Sequence, residues 1–175
     1  SKKVFSYKDV QKFYKKFSSF LYKFTNERKK IAIISNKKFD LYACILSVIV
    51  SKNIWIPINP SLPILRIKKI IEISKPNILI LENLKEKSLA TIIKICKKKN
   101  ITVTDFSNIK KIKNKKFHSE RKVNSEDISM IFFTSGSTGE PKGVKINYRG
   151  FLHSMYEQKR ILFKNKKNLI FGDYH

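Results

Sequence analysis

The sequence predicts an α/β fold in which a largely parallel sheet is covered by helices. Short runs of Ile, Leu and Val alternate with longer segments whose apolar residues recur at three- and four-residue spacing. The short runs are apolar throughout rather than alternating, the pattern of strands buried on both faces. The chain has 175 residues, enough for one domain with a sizeable core.

Ser6 can cap a first helix reaching about Lys23, with Val10, Phe13, Tyr14, Phe17 and Phe20 along one side. Ile31–Ile34 reads as a short buried strand. Asp40–Ser51 reads as a helix that is apolar nearly all round, and so is expected to be buried. Ile54–Ile58 is the next strand, preceded by Ser51-Lys-Asn53, where Asn53 can take left-handed geometry. Pro63 suits the first turn of a helix to about Ser74. Asn77–Leu81 is a strand, Lys87–Lys98 a helix and Ile101–Thr104 a strand. Phe106–Asp127 is rich in Lys, Asn and Ser and reads as a surface excursion, its loop proper spanning 107–127. Ile128–Phe133 reads as a buried strand and Val144–Ile146 as a short one. Tyr148–Phe163 follows as an amphipathic helix with Phe151, Leu152, Met155 and Ile161 inward, and Asn168–Tyr174 as a last strand. The whole of 1–175 reads as one domain.

The chemistry concentrates in Thr134-Ser-Gly-Ser-Thr-Gly-Glu-Pro-Lys-Gly143, which holds three of the five glycines in the chain. Hydroxyls and bare backbone N–H groups donate hydrogen bonds, lysine adds a point charge, and glycine lets backbone approach an anion closely. The segment 134–143 is therefore a candidate phosphate-binding loop. It is not the loop that reads G-x-x-x-x-G-K-[ST] and opens a helix, because Gly143 follows Lys142 and the flanking runs are strands. Such a strand–loop–strand setting suggests a mobile loop closing over phosphates. The bland alternative is a Ser/Gly-rich hairpin turn.

Ile131 through Val144 resembles the AMP-binding signature of the adenylate-forming superfamily, which holds acyl-CoA synthetases, nonribosomal peptide synthetase adenylation domains and luciferases. Weaker matches lie upstream in the same order: Val4–Val10, Ile31–Ile34, Ile54-Trp-Ile-Pro-Ile-Asn-Pro60 and Arg66–Ile80. The resemblance thus spans nearly the whole chain, though only the loop is specific. Asn59-Pro60-Ser61-Leu62-Pro63 is closest to members that activate amino acids.

This resemblance implies the N-terminal part of an AMP-binding large domain, and a chain shorter than a typical member. It implies ATP-dependent activation of a carboxylic or amino acid as an adenylate, with Mg²⁺, then transfer to a thiol of CoA or a phosphopantetheinyl carrier protein. Thr134, Ser135, Ser137 and Thr138 would donate hydroxyls to phosphates. Gly136, Gly139 and Gly143 would let backbone N–H groups face them, and Lys142 would stabilise their charge. The family's acidic Mg²⁺ ligand, ribose-binding aspartate and C-terminal catalytic lysine correspond to positions beyond His175. His175 itself falls near the place of the acyl-pocket aromatic. A chain lacking those groups is expected to be inactive alone. The competing function is a nucleotide- or polyanion-binding module that uses the same loop without adenylation.

A net charge of +25 invites a nucleic-acid reading. The balance of 33 Lys to 5 Arg and 26 Ile to 3 Ala instead follows the A/T-rich codons of a biased genome. No specific nucleic-acid partner is expected, only salt-sensitive adhesion to polyanions. Cys44 and Cys96 lack metal spacing and read as reduced core residues of a cytoplasmic protein, and the three histidines form no metal pattern. Lysines interrupt Ser1–Phe24, unlike a signal peptide. The longest apolar run, Leu41–Val50, is too short for the ~20 residues of a membrane span.

Overall fold

A computed structural model describes residues 5–21, 27–36, 39–85, 87–113, 122–135 and 139–162, apart from the side chains of 159, 161 and 162. Its strands are β1 Lys30–Ile34, β2 Ile54–Ile58, β3 Ile78–Leu81, β4 Thr102–Asp105, β5 Ile128–Ser135 and β6 Pro141–Asn147. Its α-helices are α1 Tyr7–Leu21, α2 Phe39–Val50, α3 Ile64–Ser74, α4 Ala90–Lys98, α5 Phe106–Lys111 and α6 Tyr148–Leu162. The strands form one sheet in the order β4-β3-β1-β2-β5-β6. All neighbours pair in parallel except β5 and β6, which are antiparallel. The predicted α/β class is the one observed.

Period-two alternation in the strands builds two separate cores. Ile31, Ile33, Ile78 and Ile80 face one side, where Phe13, Phe17 and Phe20 of α1, Ala43, Cys44 and Val48 of α2, and Phe106 and Ile109 of α5 cover them. Ala32, Ile34, Ile56, Ile58, Leu79 and Leu81 face the other, under Ile67, Ile70 and Ile71 of α3 and Ile92 and Cys96 of α4. Burial of each such large side chain stabilises by about 1.5–3 kcal/mol.

The helix ends follow local chemistry. Ser6 caps α1 through a reciprocal pair: its backbone N–H donates to Asp9 Oδ2 at 2.8 Å, and the Asp9 N–H donates to Ser6 Oγ at 3.4 Å. After α2 and α3 the chain turns through left-handed residues, Lys52 at φ 59° and Lys75 at φ 45°. Asn53, expected to adopt that geometry, instead spends its side chain on hydrogen bonds. Its Oδ1 accepts from Lys29 N–H at 2.8 Å and its Nδ2 donates to Ser51 Oγ at 2.9 Å.

Four other expectations need correction. The stretch read as a surface excursion opens with α5, which Asp105 caps by accepting from the Asn108 N–H at 2.8 Å. Helix α2 buries one face, while Leu46 and Val50 are exposed, because neighbours cover only the side toward the sheet. Strand β5 is buried at Ser129 and Met130, but Phe132, Thr134 and Ser135 are exposed. Its pairing with β2 is limited to Trp55↔Met130; Pro57, two residues on, has no N–H with which to extend it. In α6, Leu152 and Met155 are exposed, so among the described residues its apolar stripe is left largely uncovered. The expected strand Asn168–Tyr174 lies outside the described residues.

Candidate functional site

Past Met130, β5 pairs with β6 alone as a two-stranded hairpin at the sheet's edge, with Phe132↔Val144, Phe133↔Gly143, Thr134↔Lys142 and Ser135↔Pro141 opposite one another. The signature segment is thus a hairpin whose two arms are strands. Thr134 and Ser135 end the outgoing arm, and Lys142 and Gly143 lie on the returning arm. Gly136, Ser137 and Thr138 lie outside the described residues, as does His175.

Alternation sorts these side chains. Ile131 and Phe133 pack against the α3–α4 core. Met130, Phe132 and Thr134 point to the opposite side, where the Phe132 ring meets Trp55 edge-on with centroids 6.0 Å apart. Lys142, directly across from Thr134, shares that side. Both are exposed, and among the described residues Lys142 makes no ion pair. An exposed hydroxyl and an unpaired ammonium therefore stand side by side at the hairpin's end.

The glycines divide in role. Gly139 has φ 77°, a left-handed conformation costly to any residue with a side chain, and a Cβ added there would meet nothing within 4 Å. Its place is fixed by backbone shape. Gly143, on the returning arm, makes room for a neighbouring side chain. A Cβ there would lie 3.3 Å from Phe133 Cζ and 3.4 Å from Ile131 Cγ2, so glycine lets the aromatic ring lie across the returning strand.

The hairpin's base is fixed by a cluster that no sequence pattern announces. Arg28, just before β1, donates through Nε to Lys52 O at 2.9 Å and through a terminal nitrogen to Ile128 O. Its guanidinium lies 3.6 Å from Asp127 Oδ1 and 5.6 Å from the centroid of the Tyr148 ring. Burial raises the Tyr148 phenol above its ordinary pKa despite that guanidinium. Asn147 caps α6 by accepting from the Gly150 N–H at 2.8 Å. Near the tip, Lys69 of α3 forms an ion pair with Glu140. Apart from the local Asn147 cap, these partners lie far apart in sequence, so no local pattern could have revealed them.

The residues fit a polyphosphate: hydroxyls, a bare left-handed glycine and a free ammonium at an accessible strand end. They do not supply a carboxylate cage for Mg²⁺, because the described residues hold no group of three or more His, Cys, Asp or Glu able to bind a metal. No described helix is long and apolar enough to cross a membrane. Cys44 and Cys96 are both buried and unpaired; burial raises the Cys96 thiol to about 11 and the Cys44 thiol further.

The family profile described as AMP-binding enzyme matches residues 1–172. A component of the mycosubtilin synthase of Bacillus subtilis is 32% identical over 139 residues, which are 78% of this chain and 5% of that protein. The ferrichrome siderophore peptide synthetase of Mycosarcoma maydis is 32% identical over 123 residues, 70% of this chain and 3% of that protein. Among solved structures, McyG A-PCP complexed with phenylalanyl-adenylate has a TM-score of 0.74 at 17% identity, covering 95% of this chain and 27% of that one. ATP bound MatB from Rhodopseudomonas palustris has a TM-score of 0.75 at 17% identity, covering 91% and 32%. At that identity the two structures speak for the fold alone. The chain spans about a third or less of each of these four proteins.

Proposed function

The chain belongs to the AMP-binding enzyme family, and we propose that its hairpin grips the β- and γ-phosphates of ATP while a carboxylate is activated. The observation that carries this is the exposed Thr134–Lys142 pair across the two arms, in signature order, with Gly139 at φ 77° between them. ATP supplies the α-phosphorus that the acid attacks, with pyrophosphate leaving and an acyl-adenylate remaining. Thr134 and Ser135 donate their O–H groups to departing phosphate oxygens, joined by Ser137 and Thr138. Lys142 places its ammonium where negative charge gathers on pyrophosphate as the bond breaks. The donors on the arms are fixed by strand pairing before the nucleotide arrives, so less ordering is required at the moment of reaction.

The substrate class we favour is an amino acid, supported by the Asn59–Pro63 pattern and by the peptide synthetase among the relatives. The acceptor is then a phosphopantetheinyl carrier protein, with CoA as the acceptor if an acyl acid is used. Each charge-assisted hydrogen bond contributes about 1.5–3 kcal/mol. In the intact enzyme, Lys142→Ala therefore lowers ATP–pyrophosphate exchange at least about tenfold, measured across a panel of amino, aryl and fatty acids. Exchange that survives the substitution unchanged would remove Lys142 from the reaction. ATP binding by the wild-type protein without exchange on any acid would favour the binding-module reading.

A further inference from the structure

The returning arm of the hairpin carries Lys142, yet nothing in its own strand pairing fixes the approach to that arm. Gly139 is exposed and has open space around its Cα, and the arm's first strand residue, Pro141, brings no N–H to the ladder. Between them stands Glu140, whose carboxylate meets the Lys69 ammonium of α3. Lys69 is on a helix that is itself firmly seated: Ile67, Ile70 and Ile71 are all fully buried beneath it. The ion pair therefore ties the most weakly held part of the arm to a well anchored helix. Glu140 is also the acidic side chain nearest in sequence to Lys142, and its pairing with Lys69 gives it a partner other than the phosphate-binding ammonium.

We propose that Lys69 and Glu140 form a latch that positions the Gly139–Lys142 arm for ATP, making both positioning residues for the reaction. This rests on the ATP-gripping role proposed for the hairpin. Two consequences follow from the geometry. Strand pairing sets Lys142 opposite Thr134, and the latch steadies the Gly139–Glu140 approach to it in the nucleotide-free protein, so losing it weakens ATP binding rather than the chemical step. The latch also occupies the Glu140 carboxylate, so a lone Lys69 substitution releases an acid beside the phosphate grip, and Lys69→Met is more harmful than Glu140→Gln.

The test has two arms on the intact enzyme. Hydrogen exchange of the Gly139, Glu140, Lys142 and Gly143 amides in the nucleotide-free protein reads the latch without reference to catalysis. Lys69→Met is expected to speed that exchange, and the charge-swapped double variant Lys69→Glu/Glu140→Lys to restore it. Unchanged exchange in Lys69→Met overturns the latch. Steady-state pyrophosphate exchange reads the consequence. The KM for ATP is expected to rise about two- to fivefold in Lys69→Met, the range of an exposed ion pair, with kcat held and the swap restoring KM. A KM that stays constant or falls, or a loss confined to kcat, overturns the positioning role. Both side chains are exposed, so the variants are expected to fold. A wild-type protein that performs no pyrophosphate exchange would refute the function while leaving the first arm to decide the latch.

Discussion

All four residues of β3, Ile78–Leu81, are buried, whereas Lys142–Lys145 in β6 are four consecutive exposed positions in the same sheet. The first region lies between two layers of helices and spends its side chains on packing. The second lies on the sheet's edge strand and spends them on donors, charge and one aromatic contact. The molecule thus separates the residues that hold it together from those proposed to act, and substitutions in the two regions should fail in different ways.

The sharpest test of that separation is Phe17→Ala. Phe17 is fully buried among α1, the sheet and the Phe13 and Phe20 rings, so its truncation is expected to cost about 3–5 kcal/mol, read by denaturant unfolding. Lys142→Ala is the mirror image. It should change unfolding by no more than about 0.5 kcal/mol while removing most pyrophosphate exchange. A large stability loss there would break the comparison. The smallest effect at neutral pH concerns the thiols. Burial holds the Cys96 proton to about pH 11, above the ~8.5 of an unfolded thiol. The folded state therefore binds the proton more tightly, so this contribution to stability is complete below about pH 8.5 and is lost as pH rises toward about 11. Thiol reagents at pH 8 should label Cys44 and Cys96 only after unfolding. Rapid labelling of the native protein would show that the helical layers open.

The packed half is largely legible in the sequence because its signals are local and redundant. The Ile and Leu runs of β1, β2 and β3 suit only buried strands, and Ser6 with Asp9 marks a helix start within four residues. Helix α5 escapes a reading by composition because Lys and Asn dominate it. Its available signals are the Asp105 cap and the Phe106–Ile109 spacing. Helix α2 misleads because composition reports how apolar a segment is, not how many neighbours it has. In the hairpin, the signature is readable because it is contiguous. Arg28 reaching Ile128, and Lys69 reaching Glu140, are not, since each joins segments that only the folded sheet brings together. The packing of the Phe133 ring against Gly143 is equally out of reach, since it depends on the register between the two arms.

The strand order has a bearing on how the chain is made. Strands β1 to β4 are complete by residue 105, but the place beside β2 stays empty until β5 arrives at residue 128. A nascent chain therefore carries an open β2 edge, the kind of template on which chains aggregate. Pro57 stands on that strand and blunts it, because a residue without an N–H is a poor site for a stray strand to join. The same proline that leaves β5 so lightly stitched to the sheet thus guards newly made protein, and Pro57→Val is expected to increase the insoluble fraction when the chain is synthesised without chaperones.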